Sequence, residues 1–282
     1  MTCRPPFVPP GNSGFGMTEL LVRGARVSAS CGGREPDPSL PLLVFVHGAA
    51  LDRTCWQLQS RYFAFRGFSV VAVDLPGHGR SEGPLCASVE EYADWLAELV
   101  EAAGYHQAHL VGHSMGALIT LEAAARHPGR ISSLTLCGGA AAIPVHPGLL
   151  SAAQNGDDIA YRLMASWGHS RRSHLGGHPT PGLWMMGGSI RLWERTPPGV
   201  LASDLAACDR YRRGREAARQ VGCPTLLISG SQDIMTPNRS ANPLRNGIKT
   251  LAEVTIEDAG HIMIVEQPDR VIDALDGFLT GL

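Results

Sequence analysis

Three side chains have the types needed to attack a carbonyl carbon, and each lies in a short glycine-bearing segment. Ser114 is the centre of Gly112-His113-Ser114-Met115-Gly116, a G-x-S-x-G. Asp233 closes Gly230-Ser231-Gln232-Asp233 ahead of Pro237, and His261 follows Ala259-Gly260. A serine hydroxyl is a weak nucleophile, so it needs a base to take its proton, and the base needs an acid to fix its tautomer. Glycines around Ser114 let neighbouring backbone pack closely at a tight strand-to-helix turn, with Oγ projecting above the sheet edge. The start of the following helix then faces any negative charge that develops. Asp258 is nearer to His261 in sequence, but it precedes the strand-end turn and reads as a solvated loop residue.

Those segments need rigid elements to bring them together. Leu42–Val46 and Ser69–Val73 are continuous apolar runs, the pattern of strands buried on both faces, and they end at His47-Gly48 and Asp74. Ala108–Val111 predicts a strand leading into the serine turn, and Ala117–Arg126 a helix closed by His127-Pro128-Gly129. Ile131–Cys137, Thr225–Ser229 and Leu251–Ile256 predict further strands, and Leu20, Val22, Ala25 and Val27 a strand or hairpin. Helical periodicity runs through Ser88–Ala103, opened by a Ser88/Glu91 capping box, and through Ile262–Leu279. Strands alternating with helices predict an α/β fold, a mostly parallel central sheet flanked by helices. Ser114, Asp233 and His261 then all follow carboxyl ends of strands, where open α/β sheets place their sites.

One stretch breaks the alternation. Between Cys137 and Pro224 no strand is predicted, and the gap is far longer than ordinary connections, so it reads as an inserted helical cap. The expected division is a core over 17–139, a cap over 140–222 and a second core segment over 223–282, with 1–16 a flexible tail. The cap holds Trp167, Trp184 and Trp193 with Met164, Met185 and Met186. These read first as packing within the cap and second as an apolar substrate wall, which makes Trp167, Trp184 and Met185 candidates for substrate contact.

Composition narrows the classes of function. Of 282 residues, 44% are hydrophobic and 18% charged, enough to bury a large core under a polar surface. Twenty-four Lys+Arg against 26 Asp+Glu leave a net charge of −2, which gives no drive toward nucleic acid or anionic membranes. The uncharged run Ser132–Gly156 is interrupted by Pro144, His146, Pro147 and Gly148, so no membrane span is predicted. The proline-rich start has no apolar h-region of a signal peptide. The 7 cysteines are scattered without CxxC pairs, which predicts reduced thiols and a cytoplasmic protein. His169, His174 and His178 fit no helical face, so neither a metal nor a cofactor is expected.

On these ordered motifs the chain resembles the α/β-hydrolase fold superfamily across roughly residues 18–282. The matching residues are His47-Gly48, Asp74-Leu-Pro-Gly-His-Gly-Arg-Ser81, the Gly112–Gly116 turn, the Gly230–Asp233 loop with Pro237, and Gly260-His261 with Glu266-Gln-Pro268. Serine, acid, histidine is the chain order of that superfamily. The resemblance implies that the amides of Ala49 and Met115 form an oxyanion hole, and that a cap is inserted after the sixth strand. The other acid position of the fold is occupied here by Gly138 and Gly139, which leaves Asp233 as the acid. The Asp74–Ser81 segment reads as a structural turn network. His47 and His113 flank the site and read first as scaffold, second as substrate contacts.

The implied activity is a serine hydrolase that cleaves carboxylic esters, lactones included, of small to medium apolar substrates through an acyl-enzyme on Ser114. The expected partner is therefore a small ester-like molecule. C–C bond or amide hydrolysis would use the same triad, and a receptor-like protein with slow turnover is the alternative of another class.

Overall fold

A computed structural model describes residues 17–178 and 182–282. The tail expected over 1–16 lies outside the described residues. The hairpin is β1 (Met17–Val22) and β2 (Ala25–Ser30), paired antiparallel. Its turn has positive φ at both Arg23 (51°) and Gly24 (77°), the two-residue geometry that matches the twist of the flanking strands.

β3 (Leu42–Val46) and β4 (Ser69–Val73) are buried at every position, as continuous apolar runs require. With β5 (Ala108–His113), β6 (Ile131–Cys137), β7 (Thr225–Gly230) and β8 (Leu251–Ile256) they complete an eight-stranded sheet in the order β1-β2-β4-β3-β5-β6-β7-β8. All pairings from β4 to β8 are parallel, and β2 joins β4 antiparallel. β8 is an edge strand, and its Glu253 accepts from Arg245 Nε at 2.8 Å.

Two groups of helices flank the sheet. α1 (Gln57–Ala64) packs with the last helix; α2 (Val89–Ala102) packs on α3 (Met115–Arg126). Ser88 caps α2, its Oγ accepting from Glu91 N at 3.2 Å while the Glu91 carboxylate accepts from Ala87 N at 2.7 Å. α1 gave no sequence signal, because Gln57, Gln59 and Arg61 break up its apolar face. Gln59 is nevertheless buried, and its Nε2 donates to the Ile264 carbonyl at 2.8 Å.

Between β6 and β7 lie α4 (Pro147–Gln154), α5 (Ile159–Gly168), α6 (Arg171–His174), α7 (Met185–Glu194), α8 (Val200–Arg210) and α9 (Gly214–Gln220), with no strand among the described residues. α4 packs on α5 and α8, and α5 on α7, whereas α9 packs on α3 and on α10 (Asn242–Gly247). The helix expected over Ile262–Leu279 is two: α11 (Met263–Glu266) and α12 (Pro268–Leu279). Pro268 has no N–H to continue α11 and disfavours helical backbone at Gln267, whose φ is −136°. No described helix is long and apolar enough to cross a membrane.

Register sets the site. Val46, Gly112 and Leu136 align across β3, β5 and β6; His113, Cys137 and Ile228 align across β5, β6 and β7; Gly230 pairs with Ile256. The loops that follow these strands therefore leave from one edge of the sheet.

Candidate active site

Ser114 stands between β5 and α3 with φ 55° and ψ −116°, a strained backbone for a residue with a Cβ. Its N–H donates to the Cys137 carbonyl at 3.0 Å. Both glycines of the motif are required sterically. A Cβ on Gly112 would collide with the Gly116 backbone and Thr120, and one on Gly116 with the carbonyls of Val46 and His47. The start of α3 thus lies directly against the end of β3.

The Ser114 hydroxyl donates to His261 Nε2 at 2.8 Å, and His261 Nδ1 donates to Asp233 Oδ2 at 2.8 Å. Asp233 Oδ1 accepts from the N–H groups of Met235 (2.9 Å) and Thr236 (2.8 Å), and Oδ2 accepts from Thr236 Oγ1 at 2.7 Å. Burial pushes the Asp233 carboxyl upward, but His261 and the Thr236 donors outweigh it and hold the group below the usual carboxylate range. An ionised Asp233 can only accept, so the proton sits on Nδ1 and Nε2 is left bare toward the serine.

A cavity of about 260 Å³ opens over Ser114 and His261, at the small end for ligand pockets. Ile143, Leu149, Met164, Trp167, Trp193 and Ile234 are among the residues that wall it, and no lysine, arginine, aspartate or glutamate lines it among the described residues. Ala49 lines it as well, and its amide has no acceptor among the described residues. Met115 is fully buried and begins α3, so its N–H belongs to the helix end that lacks intrahelical partners.

A model of the alpha/beta hydrolase family matches residues 43–274. The chain belongs to the α/β hydrolase family. It is similar to the pimeloyl-[acyl-carrier protein] methyl ester esterase of Methylococcus capsulatus, 28% identical over 86% of this chain and 95% of the relative. It is also similar to 3-oxoadipate enol-lactonase 1 of Acinetobacter baylyi, 24% identical over 92% of this chain and 95% of the relative. The solved thermophilic esterase from Thermogutta terrifontis superposes with TM-score 0.80 at 25% identity, covering 94% of this chain and 98% of the other. This is an enzyme of the α/β hydrolase family with esterase and lactonase relatives.

In this α/β hydrolase the other sequence candidates fall on both sides of the cavity wall. Trp167 and His113 line it. His113 Nε2 donates to the His261 carbonyl at 2.8 Å, and burial, then the nearby His261, push its pKa down to about 3, so it is a neutral prop behind His261. His47 is not in the lining. Its Nε2 accepts from Leu75 N at 3.1 Å and its Nδ1 donates to the Gly48 carbonyl at 2.9 Å, which makes it scaffold. Trp184 and Met185, the other two candidate substrate contacts, do not line the cavity either. Trp184 is 67% exposed beside Gly187, and Met185 is buried elsewhere. Trp184 precedes α7, and the turns of that helix carry Trp193 into the wall instead.

The Asp74–Ser81 segment forms a turn network. Asp74 accepts from the Arg53 guanidinium, from Arg53 N (2.8 Å) and from Arg80 N (2.9 Å), while Ser81 Oγ donates to the Asp74 carbonyl at 2.7 Å. Asp258 is exposed at φ 56° and takes Gln232 Nε2 at 3.2 Å. His169 is bonded at both ring nitrogens, to the Ala165 carbonyl (2.9 Å) and Ser189 Oγ (3.2 Å). Among the described residues no cluster of three His, Cys, Asp or Glu forms a metal site. Sequence reasoning missed Thr236. Its signal was the Asp-x-x-Thr spacing, in which an aspartate takes the N–H groups two and three residues on.

Proposed function

We propose that this enzyme hydrolyses neutral, apolar carboxylic esters, lactones included, through an acyl-enzyme on Ser114, with α4–α8 as the cap over the site. The observation that carries the reading is the Ser114–His261–Asp233 relay opening onto a cavity without a lysine, arginine or carboxylate in its wall. His261 Nε2 takes the Ser114 proton as Oγ attacks the carbonyl carbon. The Ala49 and Met115 amides donate to the oxyanion, and His261 returns the proton to the departing alkoxide. Water, deprotonated by His261, then releases the acid and restores Ser114. Asp233 holds the tautomer throughout.

The activities of the two relatives, methyl ester esterase and enol-lactonase, support cleavage of an acyl–oxygen bond. The apolar wall supports a short to medium chain. Six cysteines stand as free thiols among the described residues, which supports a reducing compartment such as the cytoplasm.

The test is turnover of p-nitrophenyl esters from acetate to octanoate by wild type and Ser114→Ala, beside a hemisuccinate ester of the same alcohol. The expected result is repeated turnover with an interior chain-length optimum, poor use of the anionic ester, and an inactive variant. A single stoichiometric burst would favour the receptor-like alternative, and equal use of the hemisuccinate would overturn the neutral-substrate reading.

A further inference from the structure

Ala50 follows the Ala49 amide, and both of its backbone polar groups are held by residues from between β6 and β7. Its N–H donates to Asp204 Oδ2 at 2.8 Å, and its carbonyl accepts from Thr196 Oγ1 at 2.8 Å. Asp204 lies on α8, and Thr196 lies between α7 and α8. Ala50 is fully buried at φ 52°, a left-handed conformation that a residue with a Cβ keeps only under constraint. Those two bonds are such a constraint.

Asp204 is anchored in turn. The same Oδ2 accepts from His78 Nε2 at 2.8 Å, and His78 Nδ1 donates to the Pro76 carbonyl at 3.0 Å. His78 therefore ties the Pro76 carbonyl to the Asp204 carboxyl, with neither side chain of the pair exposed. Desolvation alone would lower the His78 pKa, but Asp204 overrides it and the pKa is raised. A buried pair of this kind is weak evidence for stability and better suited to fixing one geometry. The geometry fixed here is that of the loop after β3, because Asp204 is absent from the cavity wall while Ala49 is in it.

We propose that Asp204 and Thr196 are positioning residues that clamp Ala50, so that the preceding Ala49 N–H is aimed at the oxyanion formed on attack by Ser114. The helices after β6 then complete the oxyanion hole as well as roofing the pocket. This rests on the ester-hydrolase reading above.

The test compares wild type, Asp204→Ala and Thr196→Val in kcat and KM for a p-nitrophenyl ester. It adds inhibition by an alkyl trifluoromethyl ketone and by the matching methyl ketone. The fluorinated ketone accepts Ser114 Oγ at its carbonyl carbon and becomes an oxyanion that needs the hole; the methyl ketone binds through its chain. Removing an oxyanion donor costs about 100- to 1000-fold in kcat, so a donor displaced by Asp204→Ala is expected to cost about 10- to 100-fold. Affinity for the fluorinated ketone should fall by a similar factor, with KM and methyl ketone affinity nearly unchanged. Thr196→Val is expected to show the same split at about 3- to 10-fold.

Wild-type kcat and fluorinated ketone affinity in both variants would overturn the proposal, as would a proportional loss of all four quantities. Should Asp204→Ala not fold, Thr196→Val decides alone on the same split. A wild type that neither turns over esters nor captures the fluorinated ketone would bring down the ester reading, and the clamp with it. Variants that match an active wild type bring down the clamp only.

Discussion

On one side of the cavity, the side-chain bonds that orient Ser114, His261 and Asp233 come from loops after β5, β7 and β8. On the other, Ala50 is gripped by Asp204 and Thr196, 154 and 146 residues away in sequence. The helices after β6 do reach the histidine side, where Ile262 N donates to the Gly168 carbonyl at 3.0 Å and Glu266 accepts from Ser170 N at 2.9 Å. Those bonds anchor the loop backbone and leave the imidazole to Asp233 and Thr236. Ser114 and His261 thus take their placement from the register of neighbouring strands, whereas the loop bearing the Ala49 amide depends on packing against segments inserted between β6 and β7.

The strongest way to break this comparison is at the acid. Asp233→Asn keeps the shape but favours the wrong imidazole tautomer, and kcat is expected to fall about ten-thousand-fold with KM little changed. A loss under tenfold in steady-state assays would remove Asp233 from the relay. Gly138→Ala probes the same side through the backbone. Gly138 has φ 59°, and a Cβ there would lie 3.0 Å from His261 Cε1 and 3.1 Å from Nδ1. Strain of about 1–3 kcal/mol directed at the imidazole is expected to lower kcat about tenfold or more. Unchanged kcat would show that the histidine side tolerates displacement.

Trp167→Ala addresses the apolar wall. Enlarging the cavity there is expected to shift the ester optimum toward longer chains, with changes of about tenfold or less in kcat/KM for any one ester. An equal loss for every chain length would instead make the wall part of the positioning machinery.

The smallest effect is on stability against pH. The unfolded chain has a His113 pKa of about 6.5, and the fold lowers it to about 3. The stability linked to this neutral imidazole is complete above about pH 6.5 and is lost as pH falls toward 3, because the unfolded chain then binds a proton that the fold refuses. Urea unfolding at pH 7 and pH 5 should therefore show wild type losing about 2 kcal/mol more than His113→Gln, which keeps an N–H for the His261 carbonyl. Equal losses would mean that the fold does not exclude the proton.

The difference between the two sides also explains what could be read from sequence. Ser114, Asp233 and His261 each end or follow an apolar strand, so local pattern and glycine spacing were enough to locate them. Ala50, Asp204, Thr196 and His78 carry no local pattern, and only the folded chain brings them together. Trp184 is a substrate-contact candidate by sequence and Trp193 is not, but α7 leaves the first exposed and buries the second in the cavity wall. The last helix looked continuous because its apolar period runs through Pro268, although the missing N–H breaks it there. α1 escaped notice because a buried glutamine fills a position where an apolar residue would have shown the period.

The central claim is that Ser114 becomes acylated, and rapid acid quench of the enzyme with p-nitrophenyl hexanoate tests it most directly. Intact and peptide mass spectrometry should show one hexanoyl group on the peptide carrying Ser114, formed at the burst rate and absent from Ser114→Ala. Steady ester turnover with no adduct on that peptide, or turnover that survives Ser114→Ala, would contradict the account.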